Sequence, residues 1–252
     1  MSSQRVFLIS IPKCGTHLLA ELIKELTGKN YVSVGTDDNS YSISGSDVTT
    51  IKSKLKNLNN TFLLGHTTYD PKLERLLKKM GIITFYIYRD PRDHMVSYAF
   101  YVQRPSAPLF VHDWVKKNSF DQILTSFLTG DFLLYKYWYA KRIDDFYNCF
   151  LPWRMCKHVC AVRFEDLVGP MGGGTAQAQR SSIQKIAHHL GIDLSEDGIT
   201  DITEKIFGKG LTFRRGKIGS WKSHFSENHK KLFKRVAGNL LVELGYEKNA
   251  DW

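Results

Sequence analysis

The sequence predicts an α/β fold built on a mainly parallel sheet. Short apolar runs rich in β-branched and aromatic residues alternate with segments of helical periodicity, the pattern of repeated strand–helix units. Several of these runs end in polar turns that open the next helix, as crossovers between parallel strands require. With 42% hydrophobic and 13% aromatic residues, a chain of 252 residues has ample material for a buried core. Neither an internal repeat nor an interdomain linker stands out, so residues 1–252 read as one domain.

The first strand begins near Arg5 and breaks at Pro12-Lys13-Cys14-Gly15-Thr16. Leu18, Leu19, Leu22, Ile23 and Leu26 then recur at helical spacing, and Gly28 is a natural stop. Residues 36–50, rich in Ser, Asp, Asn and Gly, read as a loop. Residues 61–64 form a short buried strand ending at Gly65-His66. Asp70 and Pro71 have the chemistry of an N-cap followed by proline in the first helical position, opening a helix to about Met80. Residues 82–88 give the strongest strand signal in the chain, and Asp90-Pro91 repeats the helix opening. The helix that follows carries Met95, Val96, Ala99 and Phe100 on one face.

Residues 109–147 are aromatic-rich and mostly helical in pattern, broken near Gly130 and Asp131. Residues 159–164 form another strand. A glycine-rich loop at 169–174 precedes a helix from about Ala176 to Leu190 and a second from Ser195 to Phe207. Residues 213–221 are a basic, glycine-punctuated loop. The last helix is capped by Ser226, buries Leu232, Phe233, Val236, Leu240, Leu241 and Leu244, and stops at Gly245.

In parallel sheets, ligands lie beyond the carboxyl ends of the strands. Lys13, His66 and Arg89 each follow such an end. The turn at 12–16 aims backbone N–H groups and the positive end of a helix at one point, and Lys13 and Thr16 add a cation and a hydroxyl. That is a nest for phosphate or a similar anion. Its lysine precedes its glycine, contrary to the G-x-x-x-x-G-K-[ST] order, which disfavours a standard P-loop kinase.

A net charge of +10 and a pI near 9.3 favour anionic ligands. A nucleic-acid-binding function draws support from that charge alone, while Arg89 and Arg214 beside expected strand ends point to a small pocket. No run approaches the roughly twenty apolar residues of a membrane span, and the chain enters its first strand without a signal peptide's cleavage region. The expectation is a cytoplasmic protein that binds neither nucleic acid nor membrane. Four cysteines, Cys14, Cys149, Cys156 and Cys160, suggest reduced thiols. Without a paired C-x-x-C, the group around His158 reads as ordinary cysteines, and no metal is expected.

Pro12-Lys13-Cys14-Gly15-Thr16 resembles the 5′-phosphosulfate loop of the cytosolic-type sulfotransferases, P-K-[SC]-G-T-T. Residues 88–93 followed by Val96-Ser97-Tyr98 resemble that family's 3′-phosphate motif. Residues 214–222 are similar to its R-K-G-x-x-G-D-W-K segment, and Phe164-Glu165-Asp166-Leu167 to its Y-E-D-L segment. The four motifs occur in family order. The resemblance implies a nucleotide-kinase-like, three-layer α/β sandwich, the sulfotransferase fold. It also implies the donor 3′-phosphoadenosine 5′-phosphosulfate, transferred to an alcohol, phenol or amine of a small molecule such as a secondary metabolite.

By the same resemblance, Lys13 contacts the bridging oxygen and sulfuryl group, and Cys14, Gly15, Thr16 and His17 belong to the 5′-phosphate loop. Arg89, Ser97, Arg214, Arg215 and Gly216 hold the 3′-phosphate. Phe164 and Phe207 are the candidates for the adenine, since Leu18 stands where the family has tryptophan. His66 takes the position of the catalytic base, followed by Thr67-Thr68 where the family has T-H-[LI]-P; His94 and His112 are alternatives. The dimer motif K-x-x-x-T-V-x-x-x-E is only partly echoed by Lys222 and Ser226, leaving monomer and homodimer both open. An ATP-dependent nucleotide or metabolite kinase of related fold, and a non-catalytic nucleotide-binding family member, are the alternatives.

Overall fold

The computed structural model describes residues 4–34, 48–105, 109–130, 141–208 and 215–252, with backbone alone for 109–111. Arg214 and most of the expected loop at 36–50 lie outside the described residues. The chain divides into two compact units, Met1–Arg89 with Phe150–Ile218 and Asp90–Cys149 with Gly219–Trp252.

The first unit holds a five-stranded sheet of β1 (Val6–Ser10), β2 (Asn30–Ser33), β3 (Thr61–Gly65), β4 (Ile83–Tyr88) and β5 (Val159–Arg163) in the order β2-β3-β1-β4-β5. Every pairing is parallel, with Ile9 opposite Gly65 and Ser10 opposite Ile87. The chain leaves β1 toward one side of the sheet and later returns to its other side as β4. The strand order therefore switches direction at β1, where β3, β1 and β4 end side by side, the kind of place at which α/β sheets take their ligands.

Strand side chains alternate between faces, and both faces of β1, β3 and β4 are buried, as the middle of a parallel sheet requires. Val6, Leu8, Phe62, Leu64, Phe85, Ile87, Cys160 and Val162 share one core with apolar residues of α1 (Thr16–Thr27), α9 (Ala176–His189) and α10 (Glu196–Ile206). Phe7, Ile9, Leu63 and Tyr86, of the opposite parity, are also buried. Two more helices, α2 (Val48–Lys56) and α3 (Pro71–Lys79), pack on each other and bury Ile51, Leu55, Leu73 and Leu77. Asp70 caps α3 by accepting from Lys72 N at 2.7 Å.

The second unit is helical: α4 (Pro91–Val102), α5 (Leu109–Lys116), α6 (Phe120–Thr129), α7 (Ile143–Asn148) and α11 (Glu227–Glu243). Asp90 caps α4, and Ser226 caps α11 through a box completed by His229. Ala237 interrupts α11 with φ −141°. The apolar stripe is re-aimed there: Phe233, Leu240, Leu241 and Leu244 are buried, while Leu232 and Val236 are only half-buried. No helix among the described residues is long and apolar enough to cross a membrane.

Two elements, β2 and α2, are absent from the sequence expectation. Asn30 and Ser33 of β2 are exposed, so the strand lacks apolar alternation, and α2 begins at Val48 inside the stretch read as loop. Strand β5 ends at Arg163, so that Phe164 opens the short helix α8 (Phe164–Leu167) instead of closing the strand.

Candidate active site

Beyond Ser10 the chain turns sharply. Lys13 adopts φ 63°, a left-handed conformation that costs a residue bearing a β-carbon about 1–2 kcal/mol. Strain of this kind is characteristic of functional turns. Cys14 is fully buried, and its N–H donates to Ile11 O at 3.2 Å. Gly15 is the N-cap of α1 at φ 100° and offers no side-chain cap. A β-carbon there would lie 2.6 Å from Phe164, so both the conformation and the space demand glycine. The first amides of α1 are thus left without a side-chain acceptor at the positive end of the helix, beside Lys13.

His66 follows β3 and faces the end of β1. Its Nδ1 lies 2.9 Å from Ser10 Oγ and 3.1 Å from the Ser10 backbone oxygen. Ser10 Oγ in turn lies 2.8 Å from Thr16 Oγ1. Burial is the main force on the His66 imidazole and lowers its pKa from 6.5 to about 4. The hydrogen bond to the Ser10 backbone opposes that shift, and the nearby His17 and Lys13 add to it. His66 is neutral at neutral pH, the form that can take a proton.

Arg89 follows β4 and is only 6% exposed. Its guanidinium carbon stands 4.2 Å above the Phe164 ring, and Nη2 donates to Lys217 O at 2.6 Å. Phe164 is itself buried and packs against both Gly15 and Arg89. Lys217 belongs to the basic segment that follows the undescribed Arg214. That segment docks on the glycine-rich loop: Ile218 N donates to Gly172 O at 2.8 Å and Lys217 Nζ to Met171 O at 2.6 Å. Arg215 is exposed, and Gly216 has φ 58°.

The remaining expected residues occupy distinct settings. His17, with its pKa lowered chiefly by burial, has Nδ1 3.5 Å from Tyr31 Oη. Leu18 is buried in the core of the first unit, and Phe207 packs at the edge of that core. In the second unit Ser97 lies midway along α4 and is half-buried. His94, on the same helix, is buried and stacks on Phe146. Tyr98 is also core, edge-on to Phe127. Arg92 pairs with Asp90 and Glu247. Among the described residues no group of three or more His, Cys, Asp or Glu is placed to hold a metal ion.

Sequence reasoning missed Ser10, Gly172 and Lys217. Ser10 reads as one polar residue in an apolar strand. The glycine run at 169–174 was a visible signal, but its partner segment lies more than forty residues further on.

A left-handed turn after the first strand, with an imidazole and a buried guanidinium at the neighbouring strand ends, marks the candidate site of this α/β protein. The family model for the sulfotransferase domain matches residues 3–209. The chain therefore belongs to the sulfotransferase family. It is 23% identical over 251 residues to sulfotransferase 6B1 of Danio rerio, a match covering 90% of this chain and 74% of that protein. Among solved structures it resembles mouse sulfotransferase SULT7A1 complexed with PAP, at 20% identity and a TM-score of 0.68, covering 98% of this chain and 88% of that one. Retinol dehydratase in complex with androsterone and inactive cofactor PAP is also similar in fold. That match has 16% identity and a TM-score of 0.64 over 94% of this chain and 80% of that one.

Proposed function

We propose that this protein transfers a sulfuryl group from 3′-phosphoadenosine 5′-phosphosulfate to a hydroxyl or amine of a small-molecule acceptor. The observation that carries this is the placement of Lys13, His66 and Arg89 beyond the ends of the adjacent strands β1, β3 and β4. The chain fits such a donor: the left-handed turn and the uncapped start of α1 suit a 5′-phosphate, and a buried guanidinium suits a second one.

When bound, the donor supplies an activated sulfuryl group on a phosphate leaving group. The Lys13 ammonium neutralises charge growing on that phosphate, and the amides of Gly15 and Thr16 hold it. His66 accepts the proton that the acceptor's hydroxyl or amine gives up. Arg89 is assigned to the 3′-phosphate, together with Ser97, Arg214, Arg215 and Gly216 by their places in the motifs. His17, Phe164 and Phe207 remain the candidates for the nucleoside side. A sulfuryl group carries less charge than a phosphoryl group, so a divalent metal is less needed. The whole chain would act as one sulfotransferase domain in the cytoplasm, as a monomer or homodimer. The androsterone complex of retinol dehydratase makes compact apolar alcohols the first acceptors to try.

The test is a thermal-shift panel with adenosine 3′,5′-bisphosphate, ATP with magnesium, and AMP, followed by an acceptor screen with radiolabelled donor. A large shift with the bisphosphate alone is expected. A shift with ATP and magnesium but none with the bisphosphate would replace sulfuryl transfer by a kinase. Lys13→Ala and His66→Ala should each lose most turnover; full activity in folded His66→Ala removes the base assignment.

A further inference from the structure

Ser10 is the last residue of β1, fully buried, and it touches both His66 and Thr16. A backbone oxygen only accepts hydrogen bonds, so the 3.1 Å contact between Ser10 O and His66 Nδ1 requires the proton on Nδ1. The neutral ring then keeps its basic lone pair on Nε2. The same N–H faces Ser10 Oγ at 2.9 Å, so that oxygen accepts from His66. Its own O–H is left for Thr16 Oγ1 at 2.8 Å, which leaves the Thr16 proton to donate elsewhere.

We propose that Ser10 is a positioning residue that couples occupancy of the phosphate turn at Thr16 to the polarisation of the His66 Nδ1–H bond, the tautomer itself being held by the Ser10 carbonyl. The coupling runs through a one-way chain of donors from Nδ1–H to Ser10 Oγ–H to Thr16 Oγ1–H to the anion. This rests on the assignment of His66 as base and Thr16 as a phosphate ligand. A phosphate oxygen at the turn accepts and never donates, so it orients every hydroxyl in the chain the same way, and each bond polarises the next. Occupancy of the turn thereby strengthens the hold on Nδ1–H and raises the basicity of Nε2, through a residue that contacts neither substrate.

The test is nuclear magnetic resonance of the ¹⁵N-labelled histidine rings in wild-type and Ser10→Ala protein, with and without adenosine 3′,5′-bisphosphate. The wild-type His66 is expected as the Nδ1–H tautomer, with a Nδ1 resonance that moves on bisphosphate binding. In Ser10→Ala that response should vanish, while calorimetry shows bisphosphate affinity within about twofold of wild type. Turnover should fall about tenfold at an unchanged donor KM, the worth of one polarised hydrogen bond. An Nε2–H tautomer in the wild type overturns the proposal whatever Ser10→Ala does. An equal His66 response in both proteins, or wild-type turnover in Ser10→Ala, overturns it while leaving the donor assignment intact. Failure of the wild type to bind the bisphosphate overturns the donor assignment and this coupling with it.

Discussion

Arg89 donates through Nη2 to the backbone carbonyl of Lys217 at 2.6 Å, joining the end of β4 to a segment 128 residues further along the chain. With its carbon 4.2 Å from the centre of the Phe164 ring, the guanidinium is held from two sides. A rigid, buried fork of donors binds phosphate at little further entropic cost. Arg89→Ala is expected to weaken adenosine 3′,5′-bisphosphate binding about 10- to 100-fold, the worth of a hydrogen bond to a charged group. Turnover at saturating donor should change much less. Arg89→Lys should recover little, because an ammonium does not reach two oxygens at once. Calorimetry decides, and an unchanged dissociation constant in Arg89→Ala removes Arg89 from the donor site.

Gly172 lies where the glycine-rich loop meets the basic segment. A β-carbon on it would lie 2.5 Å from Gly216 O and 2.3 Å from Val168 Cγ2. Overpacking of this kind costs about 1–3 kcal/mol. The backbone at Gly216 and Lys217 has to move to relieve it. Gly172→Ala should therefore raise the dissociation constant for the bisphosphate severalfold or more. Met171→Ala, which trims an exposed side chain and keeps the carbonyl that Lys217 uses, should bind as wild type. Equal affinity in the two variants would mean that the docking of the segment on this loop does not matter for the ligand.

The contrast between these two residues and the helix openings shows what was legible in the sequence. Asp70 and Asp90 announce their helices because a cap and its target lie two residues apart. The strand ends carrying Lys13, His66 and Arg89 are legible for the same reason, as apolar runs that stop at polar turns. Ser10 and His66 are 56 residues apart, and nothing in either local stretch names the other. Strand β2 was missed because its exposed Asn30 and Ser33 break the alternation that marks a strand, and its pairing with β3 supplies what its own sequence lacks. Phe164 carries a family motif, yet only the tertiary structure gives it the task of supporting Gly15 and Arg89.

In the second unit, Arg92 packs on Trp221 at 4.2 Å and on Trp252 at 4.5 Å, two rings that meet edge-on, and pairs with Asp90 at 2.7 Å and Glu247 at 2.6 Å. Its side chain is 4% exposed and that of Asp90 is 9%. Removing one member of such a pair leaves the other charge buried and costs about 3–5 kcal/mol. Arg92→Met, which keeps the bulk against the tryptophans, should therefore lower the melting temperature sharply. Adding Asp90→Asn should restore at least half of the loss, since asparagine still caps α4 and carries no charge. Additive losses in the double variant would show that the pair is not the source of the effect.

Protonation of His66 gives the last test, because its sign is fixed by burial. Well above pH 6.5 neither the folded nor the unfolded chain carries the proton, and the residue adds nothing to the pH dependence. Between 6.5 and about 4 the unfolded chain binds a proton that the folded chain refuses, so stability falls as pH falls. Below about 4 both states bind it and the loss is complete. His17 and His189, with pKa values also lowered by burial, act in the same direction and remain in a variant at position 66, His17 losing only the repulsion of a charged His66. His66→Asn keeps an N–H to offer the Ser10 carbonyl but has no proton to gain. Its melting temperature should therefore fall less than that of the wild type between pH 6.5 and pH 4, with the two curves parallel above pH 7. Curves parallel throughout would show that His66 titrates normally in the folded protein and is not held neutral by its surroundings.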